Sequence, residues 1–367
     1  MRVLIVPNTL FFPPYLDDLG EADQGRDEPR SWVHDIQGEV TYLDQRLLTN
    51  PPKLLRRVYG RLPMWIVQVC EVFRTGRKYD VVFIWSLANV ALVLSLLLKL
   101  TFRRMTCVVL LTRISEPKKA WLLKLVHSKM TRIILPPSRQ RQIAVERLGI
   151  PREKLLGLPW TTDTDFWSPT GPAQERMMIC AAGGEMRDYR TLVEALRGLD
   201  IPCHIAGALD TSRKDWWNST TAELEGEQQV PPNITFGALS PQELRDVYGR
   251  SRLVVVPLKQ TTSDNGITCM NEAWAMGCPV IVSDVEGQEG AFTEGREGTW
   301  VRQGDPVALR EAILSLWQDP ERAAEMGQAG RTLVESHKNN RVFSDALNEI
   351  FAEIASLTAR TAGNVIR

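Results

Sequence analysis

Residues 253–284, LVVVPLKQTTSDNGITCMNEAWAMGCPVIVSD, carry the densest set of groups able to do chemistry together. An apolar, strand-like run enters the polar stretch Thr261–Gly266, a helical stretch starts near Ile267, and Gly277 stops it before a second apolar run. A loop entering a helix in this way aims backbone N–H groups and the positive end of the helix dipole at whatever lies before it, which is an anion site suited to a diphosphate. Gly266 has no side chain to keep phosphates off the backbone, and Asn265, Ile267 and Thr268 flank it as candidate donor-binding positions. Glu272 lies about one and a half turns into the helix, where its carboxylate reaches past the phosphates to a vicinal diol such as a ribose. Asp264, eight positions earlier and ahead of the helix, falls on the other side of the diphosphate, near a sugar hydroxyl. Taken singly, Glu272 also reads as a surface helix residue and Asp264 as a turn or cap residue, since Asp-Asn-Gly is a strong turn signal.

The elements that must hold these groups show as alternating runs. RVLIVPN, EVTYLD, YDVVFIW, MTCVVLLT and RIILP in the first half, and MMICAAGG, PCHIAGAL, NITFGAL, RLVVVPL and CPVIVSD in the second, are nearly unbroken apolar strands separated by helical stretches. That pattern predicts α/β architecture: two Rossmann-like domains, each a parallel sheet covered on both faces. The turn-rich GLPWTTDTDFWSPTGP suits the connection between them. The expected organisation is an N-terminal domain over 1–160, a C-terminal domain over 161–340, and a terminal helix over 341–367 that returns to the first domain. The first β-to-α connection, residues 7–31, is long and acidic where a dinucleotide fold would carry G-x-G-x-x-G, so no NAD or FAD cofactor is expected.

Bulk properties narrow the function. At 367 residues, 44% hydrophobic and 24% charged, the chain is ordinary globular protein and long enough for two cores. Its zero net charge hides an asymmetry: residues 1–165 hold 25 basic and 16 acidic residues, and 166–367 hold 19 and 28. Part of the basic surplus lies between Lys53 and Lys78, with apolar residues at helical spacing, and reads either as a face for an anionic acceptor or lipid headgroups or as a solvated helix face. With a neutral whole, nucleic acid is not an expected partner. Residues 81–100 are apolar enough to suggest a membrane span, but YDVVFIWS reads as a buried strand and Val90–Leu100 as a core helix. MRVLIVPN reads as a first strand, not a signal peptide. The six dispersed cysteines read as reduced core residues, and the four histidines lack metal-ligand spacing, so no metal is expected.

With these residues in hand, the second half resembles the retaining GT-B glycosyltransferases of family GT4, the glycosyl transferases group 1. Asp264-Asn265-Gly266 and Glu272-Ala-Trp-Ala-Met-Gly-Cys-Pro-Val-Ile fit that family's two acidic residues separated by seven, with glycine near the first and E-A-x-A-x-G-x-P-V-I at the second. Asp163–Pro169, Ala181–Leu196, Pro232–Pro257 and Gly295–Ile313 resemble neighbouring family segments, so the match covers nearly all of the second half; the first half matches in architecture alone.

The resemblance implies a GT-B fold with its two Rossmann-like domains facing across an interdomain cleft. It implies transfer of a hexose-type sugar from a UDP- or GDP-sugar to an acceptor hydroxyl, with retention and without a metal or resident cofactor. Glu272 would hold the nucleotide ribose, Asp264 would contact the donor hexose, and Arg187 would neutralise the diphosphate with Lys259 nearby, the glycines Gly183 and Gly184 forming the loop beneath. Family members often carry arginine where this chain has Gly184, and the fourth N-terminal strand offers Arg113 and Glu116 in place of a histidine. The acceptor class stays open among glycan, lipid-linked glycan and small molecule. The expected location is cytoplasmic, with peripheral contact at the inner membrane face through the basic N-terminal half. Two other readings share the donor: a nucleotide-sugar epimerase or hydrolase, which needs further acid-base groups, and a binding protein without turnover. For Trp160, Trp167, Trp216, Trp217 and Trp274, sugar or base stacking stands beside packing, with Trp274 expected to pack the donor-loop helix.

Overall fold

The structure, a computed structural model, describes residues 1–8, 28–44, 56–136, 139–169, 175–207 and 230–363, with the side chains of Arg56 and 358–363 left aside. Trp216, Trp217, Lys53 and most of the 7–31 connection lie outside the described residues. The described residues fall into two compact units, 1–8, 32–158 and 343–363 in one, and 28–31 with 159–342 in the other.

In the first unit, strands β1 (Arg2–Val6), β2 (Glu39–Tyr42), β3 (Val81–Trp85), β4 (Cys107–Leu110), β5 (Arg132–Leu135) and β6 (Leu155–Gly157) form one sheet in the order β2-β1-β3-β4-β5-β6, every pair parallel. The central strands are apolar on both faces because helices cover both, and Val81–Trp85 is buried along its whole length. The run 81–100 divides as expected into that strand and the helix Ala88–Leu100, and among the described residues no helix is long and apolar enough to cross a membrane. The basic stretch forms the helices Arg56–Tyr59 and Met64–Thr75; the second turns Val67, Val69 and Val72 inward. From the C-terminal helix Asn340–Gly363, Phe343, Leu347, Phe351 and Ile354 are buried in this unit, with the Phe351 ring 5.5 Å from Phe83.

In the second unit, β7 (Met178–Ala182), β8 (Cys203–Ala206), β9 (Ile234–Phe236), β10 (Ser251–Val256), β11 (Val280–Asp284) and β12 (Gly298–Arg302) are again all parallel, in the order β12-β11-β10-β7-β8-β9. The chain winds outward from β7 in one direction and from β10 in the other. The switch between these two neighbours is where such sheets bind ligands, beyond the carboxyl ends of their strands. The edge strands β6 and β12 were not among the apolar runs read from the sequence. β6 has three residues with one buried, and β12 has two of its five buried, so neither shows an unbroken apolar run. Five cysteines are buried as expected; Cys70 is a correction, since its place on Met64–Thr75 faces solvent.

Candidate active site

The carboxyl ends of β7 and β10 are tied together before any ligand is considered. Beyond β7 the chain turns at Gly183, with φ +91°, and at Met186, with φ +57°. The Lys259 N–H then donates to the Met186 carbonyl at 2.8 Å, Arg187 bridges Leu258, and the Asp188 N–H donates to the Pro257 carbonyl at 2.9 Å. Asp188 also caps the helix Tyr189–Leu196, accepting from the Thr191 N–H at 3.2 Å and its hydroxyl at 2.7 Å.

Arg187 is 3% exposed and lies beneath this turn. Its Nε donates to the Ala182 carbonyl at 2.9 Å, one terminal nitrogen donates to the Glu185 carbonyl at 2.7 Å, and the other reaches Cys269 Sγ at 3.2 Å. The Cys269 thiol donates in turn to the Ala182 carbonyl at 3.4 Å, and burial raises its pKa, keeping it protonated. A side chain at Gly183 would put its Cβ 2.6 Å from the Arg187 guanidinium, so the glycine makes room for the arginine. Gly184 has open space around it.

Beyond β10 the loop is equally well held. Thr261 donates to the Asn265 side-chain oxygen at 2.8 Å and accepts from the Ser263 N–H at 3.1 Å, while the Gln288 amide donates to the Asn265 carbonyl at 2.5 Å. Gly287 lies so close that a Cβ there would stand 1.8 Å from the Ser263 carbonyl oxygen. The helix begins at Ile267 and runs to Ala275, with Gly266 as its N-cap in the left-handed region at φ +92°. Its C-terminus closes as a Schellman turn: Cys278 N–H donates to the Ala273 carbonyl and Gly277 N–H to that of Trp274, both at 2.8 Å, with Gly277 at φ +68°. At its N-terminus the Thr268 N–H has no acceptor among the described residues, and the Cys269 N–H meets only its own thiol sulfur. Glycine alone fits at this N-cap, because a Cβ on Gly266 would stand 2.7 Å from a methyl of buried Val256.

Glu272 is half-buried on this helix rather than free on a surface, and the buried Tyr248 hydroxyl donates to its carboxylate at 3.4 Å. Burial raises its pKa to about 8, against the opposing effects of the Tyr248 hydrogen bond and the Arg187 charge. Asp264 accepts a hydrogen bond from the Trp160 indole, and the Trp160 carbonyl accepts one from the Asn271 side chain at 2.9 Å. Trp274 is wholly buried, donates to the Glu297 carbonyl at 2.8 Å and packs edge-on to Phe292, which makes it a packing residue of this helix as expected. Trp167 is buried against Phe166 and Tyr248.

Gly183, Gly184, Arg187, Lys259, Asp264–Thr268 and Glu272 therefore stand on two adjacent connections at one switch point. Trp160, a stacking candidate in the sequence, here donates its indole N–H to Asp264, and with Asn271, Tyr248 and Gln288 it supports the same loop and helix; no local signal marks these contacts, whose partners are 104, 111, 24 and 23 positions away. Among the described residues no cluster of three His, Cys, Asp or Glu is arranged to hold a metal.

The arrangement defines a doubly wound domain with a glycine-capped helix N-terminus at its switch point and a carboxylate on the same helix. Residues 173–333 match the family model described as glycosyl transferases group 1. The chain is 31% identical over 185 residues to a D-inositol 3-phosphate glycosyltransferase of Gordonia bronchialis, covering 50% of this chain and 38% of that protein. It is 28% identical over 150 residues to the D-rhamnosyltransferase WbpZ of Pseudomonas aeruginosa, covering 40% and 37%. The chain thus spans less than half the length of either relative. Over almost the whole chain the fold resembles Anabaena HepE crystallised with UDP, with TM-score 0.69, 15% identity and 96% and 99% of the two chains covered. It also resembles the sucrose-phosphate synthase of Thermosynechococcus elongatus, with TM-score 0.65, 19% identity and 80% and 79% covered. Two parallel six-stranded sheets in one α/β chain are the GT-B architecture.

Proposed function

We propose that the chain is a retaining glycosyltransferase that moves a hexose-type sugar from a nucleoside-diphosphate sugar to an acceptor hydroxyl, without a metal or resident cofactor. The observation that carries this is the unsatisfied first turn of Ile267–Ala275 behind Gly266, with Glu272 on the same helix: an anion seat and a diol acceptor one and a half turns apart. The diphosphate would lie on the Thr268 and Cys269 N–H groups, the ribose on Glu272 and the hexose on Asp264. In the reaction the bond from the anomeric carbon to the leaving phosphate breaks, and the acceptor oxygen bonds to that carbon on the same face. The acceptor's proton passes to a leaving phosphate oxygen. The fixed N–H groups stabilise the charge that gathers on the phosphate, with Lys259 as the nearby cation. UDP- and GDP-sugars are the proposed donors, and HepE, solved with UDP and with UDP-glucose, makes the uridine series the first to test. The acceptor is a glycan, a lipid-linked glycan or a small hydroxylated molecule, met on the cytoplasmic side at the inner membrane face.

A second reading, a protein that binds a nucleotide sugar without transferring it, is favoured by the engagement of the Arg187 guanidinium with Ala182, Glu185 and Cys269. Thermal-shift and calorimetric titration with UDP, GDP, ADP and their sugar conjugates, with and without EDTA, tests both readings against Glu272→Ala. Binding of one nucleotide by the wild type, lost in the variant and unchanged by EDTA, supports the donor site. Transfer from that donor, with the anomeric configuration read by NMR, separates enzyme from binding protein, and no nucleotide binding at millimolar concentration rejects the site.

A further inference from the structure

The first unit carries an apolar and basic surface that the donor site does not use. It lies where the helix Ala88–Leu100 ends beside the helix Pro117–Val126. Phe102 is 87% exposed, Trp121 71%, Leu100 66% and Leu125 42%. Two lysines bring these residues together: Lys99 donates to the Leu125 carbonyl at 2.7 Å, and Lys129 donates to the Arg103 carbonyl at 3.4 Å. The turn between them is held in a costly shape, with Phe102 at φ +55°, a region that a bulky side chain rarely adopts, and its ring outside the core. On Pro117–Val126 the exposed residues Lys118, Trp121, Lys124 and Leu125 fall three and four apart, on one face.

The charge of this region is one-sided. Residues 99–132 contain nine lysines and arginines and a single acid, Glu116. That acid is already engaged by Arg113 at 3.3 Å and Lys119 at 2.9 Å. Arg104, Lys118 and Lys124 are exposed and have no hydrogen-bond or ion-pair partner among the described residues. Apolar tips beside unpaired cations match an anionic bilayer on both counts, the tips entering the acyl boundary and the cations meeting headgroup phosphates. A second copy of the chain would bring two positive surfaces together, and a polynucleotide would leave Leu100 and Leu125 without a partner.

We propose that the turn Leu100–Arg104 and the exposed face of Pro117–Val126 form a docking surface for anionic phospholipid. This deepens the membrane-face reading above and places the contact on a different segment from the basic stretch Lys53–Lys78. It does not depend on the donor site, so nucleotide binding remains a separate readout.

The test is sedimentation of the full chain with vesicles of phosphatidylcholine alone or with about a quarter phosphatidylglycerol. The wild type is expected to bind the anionic vesicles, to ignore the neutral ones and to lose binding as salt rises. Phe102→Ser combined with Trp121→Ser, which leaves the charge intact, should weaken binding at least about tenfold, and Lys118→Glu with Lys124→Glu should do the same. Unchanged melting temperatures certify the fold of these variants; if a double variant melts early, Phe102→Ser alone replaces it. Absence of wild-type binding to anionic vesicles overturns the proposal. So does full binding by the serine variant, or capture by duplex DNA with no capture by vesicles.

Discussion

At the scale of single residues, Glu272 makes the sharpest prediction. Burial lifts its carboxyl from the ordinary 4.5 to about 8, so the folded state holds a proton that the unfolded chain releases at lower pH. The stability this contributes is complete below about 4.5 and is lost as pH rises towards about 8. Glu272→Gln removes that dependence, and melting curves should show the variant gaining on the wild type between those two values. Ligand binding should run the other way. A ribose diol donating to the carboxylate selects its ionised form, so nucleotide-sugar affinity measured by calorimetry should rise with pH towards about 8 in the wild type and stay flat in the variant.

Trp160 offers a second test at this scale. Its indole donates to Asp264 while its carbonyl holds Asn271, so under the proposed donor placement it positions the residue that meets the sugar. Trp160→Phe keeps a ring and removes the N–H. Because hydrogen bonds to charged groups contribute about 1.5–3 kcal/mol, nucleotide-sugar affinity should fall roughly tenfold or more. Affinity for the bare nucleoside diphosphate should not change. An equal loss for both ligands would mean that Trp160 supports the loop as a whole.

At the scale of elements, the site depends on two connections that cannot take ordinary geometry. Gly266 and Gly184 are both glycines near the proposed phosphates, and the structure separates their roles. Gly266→Ala meets both a left-handed backbone and a contact at 2.7 Å, so it should cost about 1–3 kcal/mol and abolish nucleotide binding by moving the helix start. Gly184→Ala meets neither, and both its melting temperature and its nucleotide affinity should stay close to the wild type. Arg187→Ala leaves the Glu185 carbonyl without its guanidinium donor and the Ala182 carbonyl with only the weaker Cys269 thiol, and chemical denaturation should show a loss of about 2–4 kcal/mol. That loss is expected without any ligand, which separates the structural part of the residue's work from any part in catalysis.

At the scale of the whole molecule, two sheets of the same parallel type carry different duties, and a nucleotide should reveal which one holds the donor. Hydrogen exchange with a bound nucleoside diphosphate should slow at 183–188, 258–276 and 285–288, the connections that share the switch point, and leave β1 to β6 unchanged. Slowing confined to the first sheet would remove the donor assignment.

Much of this protein was legible in its sequence because the information is local. Buried parallel strands need apolar runs, and ten of the twelve strands among the described residues lie in runs legible in the sequence; the two missed, β6 and β12, are at sheet edges and carry few buried residues. The start of the helix at Ile267 and its stop at Gly277 follow from short-range backbone chemistry, and the spacing from Asp264 to Glu272 follows from the helix pitch. What required the tertiary structure is what depends on distant partners. The burial that lifts Glu272, the Trp160 indole on Asp264, the Gln288 amide under Asn265 and the three acceptors around Arg187 all join residues from different elements. The exposed aromatic and basic face at Phe102 and Trp121 is of the same kind: apolar residue types predict burial, and only the packed chain shows which of them the core did not take.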